Sequence, residues 1–180
     1  MRREAGATGG PIVKAKEYKV YDINIFKEAN VELTVADIYY GIRNNLIYTE
    51  QVVDAVLLCN NIDDVDGFFA EFFYMDSLDR CDIQELFERL YEKEIIDSDD
   101  VSVAKWQYCI VKHIMMIDDD FELQTLKIAE AYADLDYPHD MDGIVYYMPS
   151  DCLDDVNLSA KIKGFLEEKE KLLRKYIKSE

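Results

Sequence analysis

Three trios of carboxylates are the residues best suited, by type and spacing, to do chemistry: Asp63, Asp64 and Asp66; Asp97, Asp99 and Asp100; and Asp118, Asp119 and Asp120. Clustered carboxylate oxygens are what a hard cation such as Ca2+ takes. The EF-hand loop supplies them in a fixed order, opening on Asp, turning on Gly at its sixth position and closing on Glu at its twelfth. Placing Gly67 sixth puts Ile62 first and Phe73 last, and placing Gly143 sixth puts Pro138 first and Pro149 last. Both registers lack the first and last ligands. Each trio instead falls where a helix is expected to begin, where Asp caps free backbone N–H groups and complements the helix dipole. The nine residues are therefore read as helix caps, and as candidates for contact with a protein partner. No metal site or cofactor is expected.

Nucleophile and base chemistry is equally thin. The chain has two histidines. His113 falls on the apolar side of a helix and is expected in the core. His139 follows Pro138 with acids beside it and has no second His or Cys at ligand spacing. The cysteines, at 59, 81, 109 and 152, form no C-x-x-C pair and read as small buried apolar residues. There is no glycine-rich phosphate loop and no patch of interleaved basic and aromatic residues. The expectation is a protein that is not an enzyme.

Charge is the stronger signal. The chain carries 38 Asp+Glu against 20 Lys+Arg, a net charge of -18. The imbalance is concentrated: residues 21–156 hold 32 acidic and 8 basic residues, while residues 1–20 and 157–180 each net +3. Such a surface repels free nucleic acid and anionic membrane and suits docking onto a basic protein. Thirteen tyrosines add to that reading, because Tyr brings a large area, few rotors and a hydroxyl to an interface. Most of them, however, are expected half-buried at helix seams.

The elements that must position these residues are helices. A 49% hydrophobic fraction argues against disorder despite the charge, and seven Gly with three Pro leave few tight turns. Residues 1–17, with Gly6, Gly9, Gly10 and Pro11, read as a flexible basic tail, and 18–180 as a single helical domain. The segment from Tyr18 to Ile25 alternates weakly and suggests a short extended arm. Thr34 and Asp37 make a capping-box-like start to a helix through Ile38, Tyr39 and Ile42. Thr49 opens the next, with Val52, Val53, Val56 and Leu57 on one face. Helical spacing continues over Asp63–Met75 and over Asp82–Glu94, the latter with Ile83, Leu86, Phe87, Leu90 and Tyr91. Ser98 or Asp99 caps the strongest helix, carrying Val103, Trp106, Cys109, Ile110, His113, Ile114 and Ile117. Asp119 or Asp120 starts another, with Leu123, Leu126, Ala129 and Ala133 along one side. Asn157 caps a long last helix through Ile162, Phe165, Leu166, Leu172, Leu173 and Ile177. The fold class is all-α, an irregular array of about seven or eight helices packed as antiparallel hairpins. No apolar run reaches the roughly 18–20 residues that span a bilayer. The first residues lack the apolar core of a signal peptide, so a cytoplasmic location is expected.

One segment is distinctive. Ala131-Tyr132-Ala133-Asp134-Leu135-Asp136-Tyr137-Pro138 precedes Ile144-Val145-Tyr146-Tyr147-Met148-Pro149. The pair resembles the C-terminal signature of a bacterial family of unknown function, in which an acidic YADFDYP segment precedes YMP. Phe26-Lys27-Glu28, Leu33-Thr34 and Tyr40-Gly41 look like that family's opening, and Lys105-Trp106 like its central tryptophan helix, so the similarity spans about 22–176. The chain departs from the pattern at Leu135, where an aromatic is more usual, and in its basic head. Members of the family resemble immunity proteins encoded beside secreted or contact-delivered bacterial toxins. The resemblance implies an antitoxin of such contact-dependent inhibition systems, which binds and neutralises a cognate toxin domain; the acidic, Tyr-rich surface is complementary in sign to a toxin with a basic surface, a nuclease being expected. It supplies no functional residue. Read structurally, Pro138 ends the preceding helix, and Tyr137 and Met148 staple the following turn to the core.

Two other functions fit the same residues. One is an acidic helical adaptor or nucleic-acid mimic that binds a basic host protein. The other is a hydrolase with an acidic metal site, which needs the carboxylates to converge on one cleft. The oligomeric state is not set by the sequence.

Overall fold

The helix expected from residue 98 or 99 onward is buried on every side over residues 104–111, and it is the centre of the molecule. The computed structural model describes residues 20–59, 80–92, 99–147 and 155–178. Among these are seven α-helices: α1 (Ile25–Glu28), α2 (Val35–Arg43), α3 (Val52–Leu58), α4 (Arg80–Glu92), α5 (Asp99–Ile117), α6 (Phe121–Asp134) and α7 (Asp155–Leu172). Two 3-10 turns, Thr49–Gln51 and His139–Ile144, precede α3 and link α6 to α7. The only β feature among the described residues is an isolated antiparallel bridge, Val31 to Ile177. The fold is all-α.

Helices α1, α2, α6 and α7 all pack on α5. Trp106 on α5 is fully buried, meets Phe26 edge-on at 4.9 Å, and donates its indole N–H to the Asp37 carbonyl at 2.9 Å. Truncating a buried aromatic of this size costs about 3–5 kcal/mol. Gly41 on α2 lets the two helices approach: a Cβ there would stand 2.7 Å from the Trp106 ring. The residues that resemble the family's opening and tryptophan helix thus meet in one core contact.

Two helix starts follow the expected chemistry. The Asp37 carboxylate takes the Thr34 N–H at 2.8 Å and the Thr34 hydroxyl at 2.7 Å, completing a capping box. Asp120 caps α6 through Glu122 N at 2.9 Å and Leu123 N at 3.3 Å. Helix α4 buries Ile83, Leu86 and Phe87.

Helix ends use a device the sequence conceals. Val31 N bonds to Phe26 O and Asn30 N to Lys27 O; Leu46 N to Gly41 O and Asn45 N to Ile42 O; Tyr137 N to Tyr132 O and Asp136 N to Ala133 O. Each pair of bonds is a Schellman ending, in which one residue turns left-handed. Glycine usually fills that place. Here Asn30, Asn45 and Asp136 do, at φ of 60°, 59° and 61°, their short polar side chains tolerating the conformation.

Several expectations are corrected. Of the arm expected over residues 18–25, residues 18 and 19 lie outside the described residues and 20–22 are non-helical, with the Tyr21 N–H bonded to Leu46 O; only its end is corrected, because residues 23–24 turn into α1 from Ile25. On α6 the buried face is Gln124, Thr125, Ile128, Ala131 and Tyr132, while Leu123 and Leu126 are exposed. The polar Gln124 is satisfied on that face because its amide N–H donates to the Asp118 carbonyl. Helix α7 begins at Asp155, not after an Asn157 cap, and Leu172 is exposed. His113 lies at the core's rim, 2.6 Å from the Glu28 carboxylate. Cys59 and Cys109 are buried, but Cys81 is exposed. The helix expected over Asp63–Met75, the tail 1–17, Cys152 and Met148 lie outside the described residues.

Candidate functional site

Where α6 ends, tertiary structure gathers the aromatic residues of the distinctive segment. Asp136 occupies the left-handed place of the Schellman ending. The next residue, Tyr137, is also left-handed, at φ 57°. The two other Schellman endings need one such residue each, and Val31 and Leu46 at the matching position are not left-handed. A bulky side chain there is a genuine outlier and costs of order 1–3 kcal/mol. Pro138, at φ −66° and ψ 124°, then starts the 3-10 turn His139–Ile144.

That conformation sets the Tyr137 ring edge-on against Tyr132 at 5.3 Å while leaving Tyr137 54% exposed. Tyr146 and Tyr147 form a second edge-on pair at 5.3 Å and are 44% and 51% exposed. The two pairs adjoin. The Tyr147 phenol is raised above its ordinary value by partial desolvation and by the neighbouring Tyr137 and Tyr146 phenols. Exposed tyrosines grouped in this way make an amphipathic surface whose rings need little further ordering to bind.

Polar contacts hold the platform in place. Tyr132 donates to Asp142 Oδ1 at 2.6 Å, and the other Asp142 oxygen lies 2.5 Å from His139 Nδ1. The hydrogen bond to Asp142, with a smaller part from desolvation, pushes the Tyr132 phenol up to about 12; the same bond holds the Asp142 carboxyl below its ordinary value. Asp140 on the 3-10 turn accepts from Gln107 Nε2 at 2.9 Å and pairs with Lys169 Nζ at 2.5 Å. Lys169 also donates to Gln107 Oε1. This set ties the segment to α5 and α7 at once. At the start of the chain's described part, Tyr21 donates to Asp134 at 2.9 Å.

The described members of the Asp trios lie at the starts of two different helices. Asp99 is the first residue of α5, and Asp100 beside it is exposed. Asp118 pairs with Lys127 at 2.6 Å, Asp120 caps α6, and Asp119 between them is exposed. Asp63, Asp64, Asp66 and Asp97 lie outside the described residues. Among the described residues no three His, Cys, Asp or Glu side chains are grouped to hold a metal ion. Two of the described thiols are held protonated: burial pushes the Cys59 thiol up to about 12 and the Cys109 thiol higher still.

Residues 23–178 match the model of a family described as "Uncharacterized protein conserved in bacteria (DUF2247)". The chain belongs to that family. The match takes in α1, the tryptophan helix and the tyrosine platform alike. No curated protein and no solved structure matches the chain. No helix among the described residues is long and apolar enough to cross a membrane.

Proposed function

We propose that this DUF2247 member is an immunity protein that binds and neutralises a cognate bacterial toxin domain with a basic surface, such as a nuclease. The observation that carries the reading is Tyr137, held left-handed and exposed beside Tyr146 and Tyr147. Backbone strain of this kind persists where the surroundings over-determine it, and it clusters at binding and switch sites. Here it presents an aromatic ring on a surface flanked by Asp136, Asp140 and Asp142, on a chain of net charge -18. Aromatic anchors supply affinity at the centre of an interface, and acidic neighbours supply complementarity to a basic cleft and a faster encounter. The exposed carboxylates Asp100 and Asp119 add to the negative charge of the described surface, and Asp63, Asp64, Asp66 and Asp97 add to the net charge of the chain.

The test is co-expression with the protein encoded immediately upstream, scoring growth rescue and co-purification together. The reading expects rescue and a stable complex, and loss of about tenfold or more in affinity from Tyr137→Ala combined with Tyr147→Ala. A toxic neighbour left unrescued, or a wild-type complex with a housekeeping basic protein instead, favours the acidic adaptor or nucleic-acid mimic.

A further inference from the structure

The tyrosine platform is built as two right-angled corners. The Tyr132 and Tyr137 rings meet at 85° and the Tyr146 and Tyr147 rings at 84°, each pair with centroids 5.3 Å apart. Tyr147 interacts electrostatically with Tyr132, Tyr137 and Tyr146, so the corners adjoin. Tyr132 is buried, while Tyr137, Tyr146 and Tyr147 are 54%, 44% and 51% exposed. The aromatic area on this surface is therefore accessible, not sealed by packing.

Each ring face carries the negative part of the aromatic quadrupole, and a cation within about 6 Å of the ring centre is attracted to it. The chain uses that attraction internally: Lys105 lies 4.3 Å from the centre of the Tyr176 ring, and Lys112 lies 5.0 Å from that of Tyr108. The sequence around the platform supplies no such lysine or arginine. From residue 128 to residue 160 there are eight Asp or Glu and no Lys or Arg. Among the described residues, Tyr146 and Tyr147 carry no cation on their rings and their hydroxyls have no hydrogen-bond partner.

The carboxylates here are unequally committed. Asp142 is held by Tyr132 and His139, and Asp140 by Gln107 and Lys169. Asp136 is exposed and has no side-chain partner among the described residues. It stands immediately before Tyr137 in the same left-handed turn. A cation lying on the Tyr137 ring thus has an uncommitted counter-charge beside it.

We propose that the platform is a receptor for one arginine side chain of a basic partner protein, its guanidinium stacked on Tyr137 and Tyr147 and paired with Asp136. This deepens the immunity reading and rests on it for the partner, which is the toxin. Ring faces and carboxylate together select a cation over an apolar or anionic side chain. The planar guanidinium stacks flat on a ring and is more weakly hydrated than an ammonium, which selects Arg over Lys. Its fork keeps N–H groups at the ring edge for Asp136 and for the Tyr147 hydroxyl.

The experiment titrates the full chain with N-acetyl-arginine methylamide at a constant ionic strength of about 0.15 M. Nuclear magnetic resonance follows the tyrosine rings and the methylene protons of the probe. The citrulline analogue is the neutral isostere, and the lysine analogue controls for net charge. The arginine probe is expected to shift the Tyr137 and Tyr147 rings with a Kd of order 10 mM, since each exposed cation–ring contact is weak. The citrulline and lysine probes should bind at least about threefold more weakly. Tyr137→Leu with Tyr147→Leu keeps apolar bulk without the ring faces and should weaken the arginine probe about fivefold or more. Tyr147→Leu alone serves if the double variant melts early. Asp136→Asn, which tolerates the left-handed backbone, should weaken the probe about twofold to fivefold. Equal binding of the citrulline or lysine probe, no shift at about 50 mM, or an affinity unchanged in the ring variants overturns the proposal. Growth rescue is scored separately. Rescue without probe binding strikes the arginine site alone, and probe binding without rescue upholds the site and strikes the immunity reading.

Discussion

Lys105 Nζ lies 2.7 Å from Asp37 Oδ2, with the two side chains 1% and 0% exposed. The same ammonium donates to the Glu32 carbonyl at 3.0 Å and sits 4.3 Å from the centre of the Tyr176 ring. One ion pair therefore joins α5, the start of α2 and the C-terminal segment. Asp37 serves twice, as the cap of its own helix and as the counter-charge of another.

Removing one partner should be far worse than removing both. Asp37→Ala leaves a buried ammonium without its counter-charge and strips the cap, so a loss of about 3–5 kcal/mol is expected. Asp37→Leu combined with Lys105→Met should lose much less than the sum of the single changes, because two buried charges no longer need desolvating. Urea unfolding of wild type, Asp37→Leu, Lys105→Met and the double variant measures the coupling, and strict additivity would contradict it.

Gly41→Ala should destabilise by about 1–3 kcal/mol. The added methyl meets Trp106 at 2.7 Å and Ile47 at 3.3 Å, both buried, so neither ring nor chain can swing into solvent. Thermal unfolding reads the loss. Gly164→Ala on α7, where an added methyl meets nothing within 4 Å, is the control, and helix propensity favours it.

The Tyr132–Asp142 bond should show at both ends of the pH scale. The folded Asp142 carboxyl is held below its unfolded value of about 3.9, so its contribution is present above that pH and is lost as pH falls through the folded value. The folded Tyr132 phenol is raised to about 12 from about 10, so its contribution is complete below pH 10 and is lost as pH rises toward 12. Burial raises Tyr21 as well, first by desolvation and then by Asp134. Tyr132→Phe should flatten the acid-side slope of stability against pH and remove one late phenolate from the near-ultraviolet titration. An unchanged acid limb would argue against the bond.

Thiol labelling should divide the cysteines by burial. Cys81 should react with a disulfide reagent in the native protein, while Cys59 and Cys109 wait for unfolding, because their thiols are both inaccessible and held protonated. Cys81→Ser should lower the native thiol count by one. Rapid native labelling of Cys59 or Cys109 would mean that α3 or α5 opens locally.

Much of the fold was legible because its signals are short-range. Thr34 with Asp37, and Asp120 with the two residues after Glu122's predecessor, Phe121, are caps settled within four positions of the chain. The tryptophan helix and α4 were legible by periodicity. The Schellman endings were hidden because Asn30, Asn45 and Asp136 stand where glycine is the usual cue. The buried face of α6 is hidden in the sequence because Leu123 and Leu126 on the other side are apolar too, and only the packing of Ile128, Ala131 and Tyr132 on α5 reveals which side is covered.

The sequence by itself determined the helical class, the acidic field, most helix starts and the segment with the distinctive tyrosines. Those features depend on neighbours along the chain or on composition. Tertiary structure decided that Lys105 meets Asp37 across 68 positions and that Lys169 meets Asp140 across 29. It also decided that Tyr137 faces outward from a left-handed backbone beside Tyr146 and Tyr147. The reason is physical: a charge or ring can be read for what it prefers, but its partner is whatever close packing of distant helices brings within a few ångströms.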